Sequence, residues 1–317
     1  MRLLVMGAGA VGSAFGGFLA DAGHEVTLVG RKPHMDAIAR EGLAITGIWG
    51  DRQVTGIDTR PTTQNASGEF DAIFITVKSF DTRVATEQVK HLLKKDALLV
   101  SLQNGIGNVE EIADTAEHAH VLGGRVIFGI TIIEPGSIEI TVYTQPVMIG
   151  FPGFNLADQP PRVVDKARDL AREINHAGVP CEYTEEIDKH LWAKLMYNCA
   201  LNPLGALRGV HYGALGEDPE TRTMMDDIVR EIFAVARAKR LELFWKKPEE
   251  FLELFYDKLL PDTFHHRSSM LQDIERDRTT EIDSLCGIVA RYGEETGIPT
   301  PLNTSLSEQI KTLEKNR

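Results

Sequence analysis

The stretch that decides the fold is "LLVMGAGAVGSAFGGFLADAGHEVTLVGRK", residues 3–32. Leu3 to Met6 form an apolar run without polar alternation, the pattern of a central parallel strand covered on both faces. Gly7, Gly9 and Gly12 follow as GxGxxG, and "SAFGGFLADAG" reads as a helix that ends at Gly23. "HEVTLVG" is then a second strand. A lone GxGxxG says little. Between a strand and a helix, at the opening of a βαβ unit, it predicts a dinucleotide site. The loop Gly7, Ala8, Gly9, Ala10, Val11 and Gly12 lets backbone approach a pyrophosphate, and the helix N-terminus favours its charge.

The end of the second strand normally selects the cofactor, because an acid there receives the ribose 2′-hydroxyl of NAD. This strand ends in Gly30, Arg31 and Lys32 with no acid. A 2′-phosphate would meet a guanidinium and an ammonium instead, so the expected cofactor is NADPH rather than NADH. Two more buried strands follow. "DAIFITVKSF" is apolar from Ala72 to Val77 and ends at Lys78; "ALLVSLQNGIG" runs from Ala97 to Leu102 and ends at Gln103-Asn104-Gly105. In an open parallel sheet, ligands lie outside the carboxyl ends of the strands. Lys78 is therefore expected at cofactor phosphate or ribose, and Asn104 at the nicotinamide or the substrate. Ordinary strand-end polarity is the alternative for both.

Residues 121–150 look β-rich, with a hairpin signature in "EPGSIEITVY". "RVVDKARDLAREINHAG" reads as a helix and "VPCEYT" as a last edge strand. The expected class is α/β. A Rossmann-type, doubly wound, NADPH-binding domain spans 1–185, and an all-helical substrate-binding and catalytic domain spans 186–317.

The composition agrees with this division. A chain of 317 residues, 43% apolar, is long enough for more than one core. A net charge of -12 speaks against nucleic acid or an anionic membrane as partner. The three cysteines, Cys181, Cys199 and Cys286, lack metal spacing, and their odd number argues against a disulfide framework. No HExxH pattern occurs, and the adjacent His265 and His266 would point apart on a helix, so no metal is expected. The chain enters its first strand directly, which leaves no room for a signal peptide, and no apolar run is long enough to span a bilayer. A cytoplasmic address is expected.

From residue 186 the β signals stop, and helices are expected over 187–201, 219–240, 248–259, 264–275 and 281–296. The first contains "HLWAKLMYNCALNP", residues 190–203. Leu191, Trp192, Leu195, Met196 and Cys199 form its packing face. Lys194, Asn198 and Asn202 fall on one stripe beside it, at four-residue intervals. Asparagine competes for backbone groups and is a poor helix-interior residue. A solvated face would more often carry Glu and Lys pairs.

A second segment, "SSMLQDIERDRTTEIDSLCG", covers 268–287. As one helix it would hold Ser269 and Glu281 roughly 18 Å apart, at ~1.5 Å per residue. Thr280 followed by Asp283 resembles a capping box, which predicts a break near 276–279 and a new helix opened by Glu281. Offsetting the macrodipole is the simplest role for such a carboxylate.

In this order the blocks "GAGAVG", "RK", "VK", "QNGIG", "LWAKLMYNCALNPLGA" and "SSMLQDIERDRTTEID" resemble ketopantoate reductase (2-dehydropantoate 2-reductase). The resemblance runs from Met1 to about Pro301, and the two C-terminal blocks are its specific part. It implies reduction of 2-dehydropantoate to pantoate with NADPH, on the route to pantothenate and coenzyme A. By resemblance, Lys194 matches the catalytic lysine, and Asn198 and Asn202 match substrate-contacting asparagines. Ser269 matches the serine that holds the substrate carboxylate, and Glu281 the glutamate that receives the substrate hydroxyl. Asn104, Lys78 and Arg31 match cofactor-side positions. His266 departs from the asparagine found in some members, which bears on substrate preference.

The chemistry accounts for the stripe. Hydride transfer to a ketone leaves an alkoxide that a nearby donor must protonate or stabilise, and Lys194 can be that donor. Two rivals stand beside this reading: a reductase of another 2-keto acid, and a non-catalytic protein that senses NADPH. A homodimer is open, with Trp245, Phe251 and Phe255 as candidate contacts that fit a core equally well.

Overall fold

The structure is a computed structural model and describes every residue except Asn65, Ser67 and Arg317. It divides into two compact units. Unit 1 holds Met1–Asn104 and Asn108–Ile187; unit 2 holds Gly105–Gly107 and Asp188–Arg317.

The strands of unit 1 are β1 (Arg2–Met6), β2 (Glu25–Val29), β3 (Leu43–Gly47), β4 (Arg52–Val54), β5 (Asp58–Arg60), β6 (Phe70–Ile75), β7 (Leu93–Ser101), β8 (His120–Arg125), β9 (Phe128–Glu134), β10 (Ser137–Tyr143), β11 (Val147–Gly150) and β12 (Cys181–Tyr183). Among the described residues, one sheet has eight strands in the order β12-β11-β8-β7-β6-β1-β2-β5. From β8 to β5 all neighbours are parallel. β11 turns antiparallel against β8, and β12 follows β11 at the edge. Leu3, Leu4 and Val5 are wholly buried, as an unbroken apolar run in a central strand requires.

The helices of this unit are α1 (Ala10–Asp21), α2 (Lys32–Glu41), α3 (Thr82–Val89), α4 (Asn108–Thr115), α5 (Gly153–Leu156) and α6 (Pro161–His176). Residues of α1 and α6 share one apolar core with one face of the sheet. Val89 of α3 and Val109 and Ile112 of α4 share a second core with the other face. This is the doubly wound arrangement. Helix α1 lies so close to the sheet that a Cβ on Gly16 would stand 2.3 Å from Leu28 Cδ2.

The expected hairpin is present as antiparallel β9 and β10. It belongs to a second sheet, in the order β4-β3-β10-β9, in which β10 runs parallel to β3.

Unit 2 has helices α7 (Ile187–Arg208), α8 (Tyr212–Glu217), α9 (Pro219–Ala238), α10 (Pro248–Leu254), α11 (Leu260–Asp262), α12 (Ser269–Glu275), α13 (Cys286–Thr296) and α14 (Pro301–Lys315). A π-helical stretch, Phe255–Leu259, joins α10 to α11, and a 3-10 turn, Ile282–Ser284, precedes α13. The first helix does not stop at 201 but runs through Pro203 to Arg208. Pro203 has no N–H for the Cys199 carbonyl, and the Cys286 thiol stands 4.0 Å from that oxygen as a weak donor. Residues 264–268 are not helical, since α12 begins after the Ser268 N-cap. Helix α14 was not expected. It starts at a proline, and its first amides are capped by Glu231 of α9, which accepts from Leu302 N (2.8 Å) and Asn303 N (3.0 Å). Phe251 and Phe255 are fully buried in the core of this unit, so they cannot form a dimer face. Among the described residues, no helix is long and apolar enough to cross a membrane.

Candidate active site

In unit 1, β1, β2, β6 and β7 are mutually parallel, so their carboxyl ends share one edge. The glycine loop follows β1. Gly7 has φ +105°, and a Cβ there would lie 2.5 Å from Val77 N. A Cβ on Gly12 would lie 2.6 Å from Thr76 Oγ1 and 2.7 Å from Gly7 O. These two glycines are dictated by the scaffold. Gly9 differs: its φ is -83°, and the nearest heavy atom to a Cβ there is 3.8 Å away. Nothing in the protein requires glycine at 9, whereas a pyrophosphate lying against the loop would. The first backbone bond of α1 runs from Ser13 N to Gly9 O (2.9 Å), and no side chain caps the helix. The N–H groups of Ala10, Val11 and Gly12 precede that bond, so they are the orphan donors that suit an anion. The residues present fit a dinucleotide.

At the end of β2, Arg31 is exposed and forms the N-cap of α2. Of the two expected cations, Lys32 is engaged with Asp36 at 2.7 Å. The Arg31 guanidinium has no ion-pair partner among the described residues. A further cation was missed. Arg60 ends β5 opposite Val29, and its carbonyl accepts from Gly30 N (3.0 Å). Asp58 Oδ2 accepts from both Arg60 Nε (2.9 Å) and Thr27 Oγ1 (3.0 Å). Only the strand order could have shown that Arg60 lies beside the end of β2.

Lys78 and Asn104 follow β6 and β7. A buried polar network fixes both loops. Gln103 Nε2 donates to Val77 O (3.1 Å) and Thr82 Oγ1 (2.8 Å), and its Oε1 accepts from Ser101 Oγ (3.0 Å). The Thr82 hydroxyl donates to Ser79 O (2.7 Å), and Asn108 Nδ2 to Asn104 O (2.9 Å). Satisfied networks of this kind are rigid. In the sequence, Gln103 and Asn108 show only as strand-end polarity.

In unit 2 the stripe of α7 is not a solvated face. Asn198 is 7% and Asn202 5% exposed, and Lys194 is half-buried. The Asn198 amide has no hydrogen-bond partner among the described residues. Its polar atoms are not among those sealed from solvent without a partner, so the amide is open to a bound polar molecule. Asn202 Oδ1 accepts from the Tyr212 hydroxyl at 2.6 Å, and its Nδ2 has no partner among the described residues.

Helix α12 brings a serine to the same end of α7. Ser268 Oγ lies 3.5 Å from Asn202 O and accepts from Leu271 N (3.0 Å) as the N-cap. That role occupies Ser268 and leaves the exposed Ser269 hydroxyl without a protein partner among the described residues. The His266 ring is 5.2 Å from that of Tyr212. Desolvation by the surrounding protein lowers its pKa, although the residue keeps an exposed edge, so at neutral pH it offers a neutral ring.

Glu281 is 7% exposed, but no capping box forms. Thr280 Oγ1 accepts from Ile282 N (3.3 Å), Thr280 N donates to Glu314 of α14 (2.7 Å), and Asp283 pairs with Lys311 (2.5 Å). The break before Glu281 is present, yet α13 starts only at Cys286. Glu281 is therefore not in a first helical turn, and offsetting a macrodipole does not explain it.

Two family patterns match this chain. Ketopantoate reductase PanE/ApbA covers residues 3–152, and ketopantoate reductase PanE/ApbA C terminal covers 186–314. A 2-dehydropantoate 2-reductase of Aquifex aeolicus is 37% identical over 315 residues, 99% of this chain and 97% of the relative. The chain belongs to the ketopantoate reductase family. Among solved structures, a PanE/ApbA family ketopantoate reductase of Ralstonia eutropha is 33% identical, with a TM-score of 0.86 over 100% of this chain and 99% of that one. A D-mandelate dehydrogenase solved with NADH is 25% identical, with a TM-score of 0.83 over 100% and 99%. Ketopantoate reductase family members are thus NAD(P)H-dependent oxidoreductases with this fold.

Proposed function

We propose that this chain reduces 2-dehydropantoate to pantoate with NADPH, in the cytoplasm, on the route to pantothenate and coenzyme A. The observation that carries the reading is the stripe of α7. Two buried amides with uncommitted N–H groups stand one and two turns from Lys194, in a chain of the ketopantoate reductase family.

When bound, the reduced nicotinamide supplies a hydride to the keto carbon. Lys194 gives the proton that the resulting alkoxide oxygen needs, so hydride and proton together complete the new hydroxyl. Asn198 and Asn202 donate N–H groups to substrate oxygens without holding the ammonium in a salt bridge. Ser269 donates to the substrate carboxylate. Glu281 accepts from the substrate hydroxyl. On the dinucleotide, the α1 N-terminus holds the pyrophosphate, Lys78 and Asn104 contact the ribose and nicotinamide side, and Arg31 reads the 2′-phosphate.

Loss of NADPH absorbance with a panel of 2-keto acids tests the substrate. The highest kcat/KM is expected for 2-dehydropantoate, and a clear preference for another 2-keto acid would replace it. Because Lys32 is tied to Asp36, the coenzyme preference rests chiefly on Arg31. Arg31→Ala is expected to raise the Kd of NADPH roughly tenfold or more, the value of a charge-assisted hydrogen bond, and that of NADH less than about twofold. Equal weakening of both, measured by fluorescence titration, would mean that the 2′-phosphate is not read at this position.

A further inference from the structure

We infer that Tyr212 is a positioning residue that fixes the Asn202 amide with its N–H groups facing the substrate. The inference rests on Asn202 contacting the substrate, as proposed above.

Both side chains are buried, at 3% and 5% exposure, and the Tyr212 hydroxyl lies 2.6 Å from Asn202 Oδ1. The two possible amide orientations are not equivalent. If Nδ2 faced the phenol, it would donate to the phenol oxygen, and the phenol's own proton would need another acceptor. Tyr212 has no such acceptor among the described residues, so that orientation leaves a buried hydroxyl unsatisfied. With the phenol donating to Oδ1, both groups are satisfied at their shared contact. The amide then has one orientation, and both of its N–H groups face away from Tyr212.

The phenol is itself well held. Tyr212 N donates to His266 O (3.0 Å), and the ring packs edge-on to Tyr197 at 5.9 Å. Burial, and then the neighbouring Tyr197, keep its pKa well above the ordinary tyrosine value, so the hydroxyl stays a donor through the working pH range. The substrate atom facing Asn202 must accordingly be an acceptor oxygen. The preference is set by a residue that does not touch the substrate.

Tyr212→Phe keeps the ring and removes only the orienting donor. It is expected to raise the KM for 2-dehydropantoate about tenfold, the worth of one hydrogen bond made unreliable, with a much smaller change in kcat. The KM of Tyr212→Phe/Asn202→Ala should be no higher than that of Asn202→Ala alone, since both changes act through one amide. Asn202→Asp supplies a second test that keeps an acceptor for Tyr212. It should melt near the wild-type temperature and lose substrate affinity at least as severely as Asn202→Ala, because both donors are gone. A wild-type KM in Tyr212→Phe, additive KM effects in the double variant, or retained affinity in Asn202→Asp would each overturn the inference. A wild-type KM in Asn202→Ala would instead remove the substrate role of Asn202.

Discussion

Lys194→Ala is expected to lower kcat for 2-dehydropantoate by roughly 10²–10⁴-fold, the usual worth of a positioned proton donor. The Kd for NADPH should stay within a few-fold of wild type, because the dinucleotide contacts assigned above all lie in unit 1 and Lys194 lies in unit 2. The size follows from the chemistry. A hydride delivered to a ketone places a full negative charge on oxygen, and water is a poor acid at neutral pH. The half-buried ammonium is a strong donor on a fixed helix. Lys194→Arg should not restore the rate. A guanidinium keeps the charge but does not give up its proton, and its planar fork would crowd Asn198 one turn away. Pre-steady-state measurement of hydride transfer separates this step from product release. Turnover near wild type in Lys194→Ala would take the lysine out of the chemistry and favour a dinucleotide-binding protein without this activity.

The parts of this molecule that were legible in the sequence are those with a local cause. The first βαβ unit has its strand run, glycine spacing and helix within about thirty residues, so the nucleotide fold could be read directly. The stripe of Lys194, Asn198 and Asn202 was legible because helical periodicity is a local rule. Other features depend on residues far away in the chain. The second sheet pairs Ala44 with Ser137, and no short window contains both. Arg60 gains its place only when β5 is set beside β2. Helix α14 is begun by Glu231 of α9, and Pro203 stays inside α7, where local preference alone would end the helix. The capping box at Thr280 shows the same limit. Its spacing is right, yet Thr280 N is taken by Glu314 and Asp283 by Lys311, both on α14.

Gly9→Ala should separate what the glycine loop does for the fold from what it does for the dinucleotide. Gly7 sits at φ +105° with Val77 backbone 2.5 Å from any added Cβ, so Gly7→Ala carries backbone strain of about 1–3 kcal/mol together with a steric overlap. That variant should melt several degrees lower, whatever its ligand. Gly9, at φ -83° with nothing closer than 3.8 Å, accepts alanine sterically. The only structural cost is a weaker N-cap preference, about 1 kcal/mol at most, so its melting temperature should stay close to wild type. The added methyl would nevertheless occupy the approach to the Ala10, Val11 and Gly12 amides. A pyrophosphate held back by even about 1 Å loses hydrogen bonds that are charge-assisted and steep in distance. A rise of about tenfold or more in the Kd of NADPH and NADH alike is expected, in contrast to Arg31→Ala, which should discriminate between them. Calorimetric titration beside a thermal melt reads both quantities. If Gly9→Ala binds either dinucleotide as wild type does, the phosphates do not lie against the first turn of α1, and the orphan amides there need another partner.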